Sequence, residues 1–98
     1  MTVKLKKVRE APRPEHASVD WDEHVSGLET APGFSLPIGY ELQGQLSAPI
    51  VIGECIVVLR THRNGEEVLG WFRSTVIREI QGAEVTTTNS VYHVTEIL

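Results

Sequence analysis

Two apolar runs joined by Asn64-Gly65 constrain the fold of this chain more than any other feature. The stretch 55–72 reads Cys-Ile-Val-Val-Leu-Arg-Thr-His-Arg-Asn-Gly-Glu-Glu-Val-Leu-Gly-Trp-Phe. Asn-Gly is the preferred pair for a type I′ turn, because both central positions of that turn need a positive φ angle. The sequence therefore predicts a β-hairpin, and counting outward from the turn places Val58 opposite Trp71.

This register makes both faces of the hairpin apolar. One face is predicted to hold Cys55, Val57, Leu59, Val68 and Phe72. The other is predicted to hold Ile56, Val58, Leu69 and Trp71. A chain of 98 residues is one small domain. Its compact part is expected to have roughly 60–65 residues, and a domain of that size buries only about 60% of its unfolded surface. We therefore predict that the second face binds a partner protein, a second copy of this chain, or the segment 19–28 folded back.

Short strands on both sides of the hairpin lead to an all-β prediction. Tyr40–Leu46 alternates apolar with polar residues, which is typical of a half-buried antiparallel strand. The second hairpin strand is predicted to continue over 74–80, and two more strands follow over 85–88 and 91–97. Five short strands at this spacing predict a small antiparallel barrel, SH3-like or OB-like, over residues 35–98.

Three stretches resemble SH3 domains. The run 52–59, Ile-Gly-Glu-Cys-Ile-Val-Val-Leu, is similar to the entry into their second strand, and Gly70-Trp71-Phe72 stands where they carry a tryptophan-containing strand. Asn89–Val94 is similar to the turn and strand that close these domains. The resemblance implies an SH3-like barrel. It does not include the aromatic strand that forms the groove for Pro-rich peptides, so it does not imply that activity.

The first third of the chain differs from the rest in composition. Five basic residues against Glu10 give residues 1–13 a net charge of +4, and five acidic residues give residues 14–29 a net charge of −5. Low apolar content and clustered prolines predict that residues 1–34 are a flexible, mostly irregular arm, basic and then acidic. The apolar spacing within 18–27 also fits a helix of one or two turns.

No motif for catalysis or for cofactor binding occurs in the sequence. The four histidines lack the spacing of metal-ligand pairs, and Cys55 is the single cysteine, so no structural zinc site is predicted. No serine occupies a Gly-x-Ser-x-Gly elbow, and no Gly-rich phosphate loop is present. We therefore expect a protein that is not an enzyme and that holds no metal or cofactor.

An alternative hypothesis is a small anion- or nucleic-acid-binding barrel. Arg73, Arg78 and Asn89, with neighbouring threonines and serines, would form its surface if strand pairing brings them together. A net charge of −4 and the lack of lysine after Lys7 argue against nucleic acid as the main partner. No stretch approaches the roughly 20 apolar residues of a membrane span, and no secretory signal is recognised. A cytoplasmic protein without a membrane partner is therefore expected.

Overall fold

The computed structural model describes residues 1–11, 24–25 and 36–97. The strands in these ranges form one antiparallel sheet. The strands are β1 (Thr2–Glu10), β2 (His24–Val25), β3 (Glu41–Leu46), β4 (Cys55–Arg63), β5 (Glu66–Gln81), β6 (Glu84–Thr87) and β7 (Ser90–Ile97). Six of them close into a ring in the order β1, β3, β4, β5, β6, β7, because the long strand β5 pairs with β4 and with β6. The all-β, antiparallel prediction is confirmed, with six strands in the ring where five were predicted.

The sixth strand of the ring is β1, and it corrects the prediction of a flexible arm for Thr2–Glu10. This strand lies between β3 and β7 and pairs with both. Val3 and Leu5 point inward and are buried, and Lys7 continues the inward series. The basic charge of the segment is carried largely by the outward positions, so it did not prevent the strand from burying its other face.

Burial of Lys7 is compensated by hydrogen bonds. Its ammonium group donates to a Glu10 carboxylate oxygen at 2.7 Å and to the Leu36 carbonyl oxygen at 2.6 Å. A buried ammonium without such partners would be strongly unfavourable. The basic residue is therefore part of the closed ring rather than of a solvated tail.

The other N-terminal predictions fall mostly on residues outside the described part of the chain. The helix predicted over 18–27 is one of them, with the exception of His24–Val25. These two residues form β2, in which His24 pairs with Arg73 and Val25 with Phe72. The chain thus returns to the edge of β5 at this point.

The turn between β4 and β5 agrees with its sequence signal. Asn64 and Gly65 have φ angles of 49° and 84°, as a type I′ turn requires. Asn64 also fastens the turn to β3: its backbone N–H donates to the Glu41 carbonyl at 2.7 Å, and its Oδ1 accepts from the Glu41 N–H at 2.9 Å. The tip of the hairpin is therefore fixed to the neighbouring strand.

Farther from the turn, the hairpin register differs from the prediction by one residue. The pairing of β4 with β5 is irregular between Arg60 and His62, and Leu59 rather than Val58 lies opposite Trp71. Since successive strand residues point to opposite faces, a slip of one residue exchanges the faces of one strand relative to the other. Val58 consequently lies opposite Phe72, and both are completely buried.

A single apolar core fills the ring. It consists of Val3, Leu5, Leu36, Tyr40, Leu42, Ile56, Val58, Phe72, Ile77, Val85 and Tyr92. The rings of Phe72 and Tyr92 meet edge to face, with centroids 5.8 Å apart, which is a preferred aromatic geometry. All six strands of the ring contribute to this core.

Gly44 in β3 makes room for the irregular part of β4. A Cβ atom at this position would overlap the Leu59 carbonyl oxygen and would lie 2.8 Å from the Cα of Arg60. The pairing of β3 with β4 is itself irregular between Gln43 and Gly44. A glycine is therefore required where these two backbones approach each other.

Candidate functional site

Four exposed apolar side chains lie on the outer face of the hairpin. Their exposed fractions are 72% for Leu69, 52% for Trp71, 41% for Leu59 and 41% for Val76. Leu59 and Trp71 are directly opposite each other across β4 and β5, and Leu69 lies on the same side of β5 as Trp71. We call Leu59, Leu69, Trp71 and Val76 the outer patch.

The outer patch contains two of the four residues predicted to bind a partner. Leu69 and Trp71 belong to it, whereas Ile56 and Val58 are 1% and 0% exposed and lie in the core. The prediction is wrong for these two residues because the hairpin is irregular at Arg60. The residue that the sequence analysis missed on β4 is Leu59, which the predicted register had placed on the opposite face.

One sequence signal could have revealed the irregularity near Arg60. Gly70 lies opposite Arg60 in the middle of a strand. Glycine in a strand interior often marks a bulge or a close approach of another backbone. The predicted register treats Gly70 as an ordinary strand residue and places it opposite Leu59.

Val76 joins the outer patch because of a second irregularity. Ser74 and Thr75 are adjacent in sequence, yet both are buried, and together they lie opposite Ile56 in β4. Such a β-bulge leaves one backbone N–H without its regular partner. Here the Ile56 N–H donates to Ser74 Oγ at 2.8 Å. Alternation then resumes with Val76 outside and Ile77 inside.

Charged residues of opposite sign flank Leu69 and Trp71 of the outer patch on β5. Glu67 lies two residues before Leu69, and Arg73 lies two residues after Trp71. Both are exposed, and neither takes part in an ion pair among the residues that the structure describes. An apolar centre with a polar rim is the usual anatomy of a protein–protein interface.

The three residues of the predicted anion-binding site are not brought together. Arg73 and Arg78 are exposed on β5, whereas Asn89 is buried inside the ring. Asn89 Oδ1 accepts hydrogen bonds from Thr75 Oγ1 at 3.1 Å and from Ser90 Oγ at 3.0 Å. The hypothesis of one anion site formed by these three residues is therefore wrong, because Asn89 serves the interior.

The hydrogen bonds around Asn89 join three parts of the sheet. The Asn89 carbonyl accepts from the Ala11 N–H at 3.2 Å, which ties the turn before β7 to the end of β1. Thr87 Oγ1 donates to the Ser90 carbonyl at 3.1 Å and accepts from the Ser90 N–H at 3.2 Å. Buried hydroxyl and amide groups are thus paired with one another, as burial requires.

Arg60 supports the hairpin from inside the ring. It is 1% exposed, and its guanidinium donates to the carbonyl oxygens of Val68 at 2.9 Å and Leu69 at 3.3 Å. These carbonyls belong to the irregular part of β5, where strand pairing with β4 is interrupted. The buried arginine therefore fixes the backbone that carries the outer patch.

Tyr40 lies beside Arg60 in the interior. Among the described residues its hydroxyl has no hydrogen-bond partner of good geometry, although it is close to the guanidinium groups of Arg60 and Arg63. Burial raises the pKa of Tyr40 above 10.0, and the two positive charges oppose part of that rise.

This shift predicts a pH dependence of stability. A phenol whose pKa is higher in the folded state contributes stability that is fully present below its unfolded pKa of 10.0 and is lost as the pH rises through the folded pKa. Between about pH 8 and 11 the Tm should therefore fall less steeply with rising pH for Tyr40→Phe than for the natural protein. If the Tm falls equally with pH in the two proteins, the raised pKa of Tyr40 does not contribute to this pH dependence.

Metal-binding residues do not cluster within residues 1–11, 24–25 and 36–97. No group of three His, Cys, Asp or Glu residues in these ranges could hold a metal ion. The same residues include no helix long and apolar enough to cross a membrane. Cys55 is a half-buried free thiol at the start of β4.

Comparisons with known proteins add no family or relative to this geometry. No protein-family model, no curated protein and no solved structure matches the chain.

Proposed function

We propose that this protein is a small interaction module that binds another protein chain through the outer patch. The observation that carries the proposal is the exposure of Trp71 beside Leu59, which lies opposite it on β4, and Leu69, which lies on the same face of β5. Single exposed apolar residues are common on soluble proteins, but a contiguous group with a charged rim is characteristic of a binding surface. The rim residues Glu67 and Arg73 would orient the partner.

Trp71 is expected to contribute most of the binding energy. A tryptophan buries about 150–250 Å² in an interface and loses little rotamer freedom, because its side chain has only two rotatable bonds. Its backbone is held by the pairing with β4 and by the Arg60 hydrogen bond to the preceding residues. Trp71→Ala should therefore weaken binding by about 2 kcal/mol or more, which is about 30-fold in Kd.

Site-directed photo-crosslinking tests the proposal. A photoreactive amino acid is placed at Leu69, and a matched one at Thr95, which is exposed on β7 away from the outer patch. Both proteins are irradiated in extracts of cells that naturally produce this chain, and the crosslinked species are identified by mass spectrometry. We expect position 69, and not position 95, to crosslink to one defined protein.

The affinity of that protein is then measured for two alanine variants. Trp71→Ala should show the loss of affinity given above. Ile52→Ala is the matched control, since Ile52 is 59% exposed and apolar but lies in the loop between β3 and β4. Crosslinks that are equal at positions 69 and 95, or equal losses in the two variants, would refute the proposal.

A further inference from the structure

We infer that Asn64 is a site of spontaneous deamidation, and that opening of the hairpin tip from β3 sets the rate of this modification. The inference goes beyond the proposed function and does not depend on the outer patch. Three observations support it: Asn64 and Gly65 are exposed, the closed turn holds the reacting atoms apart, and two hydrogen bonds to Glu41 keep the turn closed.

Deamidation at Asn-Gly begins with attack of the glycine nitrogen on the asparagine side chain. The Gly65 nitrogen gives up its proton and forms a bond with Cγ of Asn64, while the bond between Cγ and Nδ2 breaks. The departing amide nitrogen takes up a proton and leaves as ammonia. Water then opens the resulting succinimide at either carbonyl, which gives aspartate or isoaspartate. Because glycine has no Cβ atom, no side chain at Gly65 obstructs the attack.

The closed turn holds the two reacting atoms apart. In a type I′ turn the ψ angle of the first central residue is about +30°, the mirror image of the type I value. The φ angles of 49° at Asn64 and 84° at Gly65 match that turn. With such a ψ angle, an L-residue has its Cβ atom and the next nitrogen on opposite sides of the Cα–C bond. Ring closure needs them on the same side, so Asn64 reacts only after its backbone has rotated.

Two hydrogen bonds to the backbone of Glu41 oppose that rotation. The Asn64 N–H donates to the Glu41 carbonyl at 2.7 Å, and Asn64 Oδ1 accepts from the Glu41 N–H at 2.9 Å. The first bond fixes the backbone of Asn64 and the second fixes its side chain. While both are intact, the ψ angle of Asn64 cannot change without moving the hairpin tip away from β3. Deamidation should therefore be at least about tenfold slower in the folded protein than in the unfolded chain.

Asn89 is the other asparagine of the chain, and it provides an internal reference. It is 1% exposed, and its Oδ1 accepts hydrogen bonds from Thr75 and Ser90 in the sheet interior. Its surroundings are lost only when the sheet as a whole unfolds, whereas Asn64 lies at an exposed turn that can open locally. The rate at Asn89 thus reports global unfolding, and the rate at Asn64 reports opening of the hairpin tip.

The two products of the reaction differ in their effect on the turn. Aspartate leaves the backbone unchanged, Asp-Gly is also favoured in type I′ turns, and a carboxylate oxygen at position 64 still accepts from the Glu41 N–H. Isoaspartate carries the chain through its side chain, which adds a carbon atom to the backbone of a two-residue turn. It therefore detaches the hairpin tip from β3, and the isoaspartate form should have a lower Tm than the aspartate form.

Peptide mapping over a urea series tests the inference. The full-length protein is incubated at mildly alkaline pH in increasing urea and digested, and mass spectrometry then measures the modified fraction at Asn64 and at Asn89. Without urea, Asn64 should be modified at least about tenfold more slowly than in the unfolded chain, yet faster than Asn89. In dilute urea the rate at Asn64 should change little, because local opening exposes little surface. The rate at Asn89 should rise steeply, as global unfolding requires.

A matched pair of variants at Glu41 tests the hydrogen bond to the side chain. Glu41→Pro removes the N–H that donates to Asn64 Oδ1, and proline is tolerated at the first residue of a strand, which Glu41 is in β3. Glu41→Ala keeps that N–H and loses the same carboxylate, which pairs with Lys4 at 2.7 Å. Deamidation at Asn64 should be about fivefold faster in Glu41→Pro than in Glu41→Ala. Thermal unfolding verifies that both variants are folded.

Three results would overturn the inference. Equal rates at Asn64 in the folded protein and in the unfolded chain would show that the closed turn gives no protection. A rate at Asn64 that follows the rate at Asn89 across the urea series would show that modification needs global unfolding. Equal rates in folded Glu41→Pro and Glu41→Ala would show that the bond to Asn64 Oδ1 does not keep the turn closed. If Glu41→Pro does not fold, the urea series alone decides.

Discussion

Replacing Gly44 by alanine is expected to lower the free energy of unfolding by about 3 kcal/mol or more, at the upper end of the cost of overpacking. The added methyl group would overlap the Leu59 carbonyl oxygen and would lie 2.8 Å from the Cα of Arg60. Both obstacles are backbone atoms, so no side-chain rotation can relieve the overlap. For a domain of this size the loss corresponds to a fall in Tm of at least about 12 °C.

The control for this variant is the neighbouring residue in the same strand. Gln43 lies beside Gly44 with its side chain on the outer face, so Gln43→Ala should change the Tm by no more than a few degrees. Both variants are measured by thermal unfolding and by urea denaturation. If Gly44→Ala is as stable as Gln43→Ala, the close approach of β3 and β4 is not a feature of the protein in solution.

Replacing Asn89 by alanine is expected to cost about 2–4 kcal/mol, because it removes the acceptor for two buried hydroxyl groups. Thr75 Oγ1 and Ser90 Oγ both donate to Asn89 Oδ1, and Asn89 is 1% exposed. A buried hydroxyl that loses its partner is not compensated by water. This expectation reverses the sequence interpretation of Asn89 as a surface ligand, for which alanine would leave stability unchanged.

A double-mutant cycle isolates the contribution of the hydrogen bond. Thr75→Val keeps the shape of the side chain and removes its hydroxyl. In the double variant Thr75→Val with Asn89→Ala, one of the orphaned hydroxyls is gone, so the combined loss should be smaller than the sum of the single losses. Strictly additive losses would show that Thr75 and Asn89 are not coupled, and the network described around Asn89 would then be wrong.

The parts of the fold that were predictable are those set by local backbone chemistry. Asn64-Gly65 determined the turn because few residue pairs adopt positive φ at both positions. Tyr40–Leu46 was recognisable because a half-buried strand shows alternation of period two. Such signals lie within a few residues of each other, so they can be read without knowledge of the rest of the chain.

The prediction of β1 failed for a different reason. Val3 and Leu5 alternate with polar residues in the way that Tyr40–Leu46 does, but the many basic residues around them suggested a solvated segment. Burial of Lys7 depends on Glu10 and on the Leu36 carbonyl, which is contributed by a distant part of the chain. A charged residue whose partner is remote in sequence cannot be assigned to the interior from composition.

The outer patch was predicted in part, and the limit was the hairpin register. The predicted register places Leu69 and Trp71 on the binding face. It places Ile56 and Val58 there as well, because it pairs β4 with β5 without interruption. The irregular part of β4 lies against Gly44, which is on another strand. Bulges of this kind arise from contacts among three strands, and the sequence of one hairpin does not contain them.

The place of β1 in the ring has a consequence for synthesis of the protein. Thr2 pairs with Ile97, so β1 needs as its neighbour a strand that is synthesised about 90 residues later. At ordinary rates of translation β1 waits on the order of 10 s for that neighbour, with Val3 and Leu5 exposed in the meantime. A sheet closed by strands so far apart in sequence also has high contact order, which favours slow folding. Lys4 and Lys6 alternate with those apolar residues, and like charges on an unpaired strand oppose its pairing with further copies of itself.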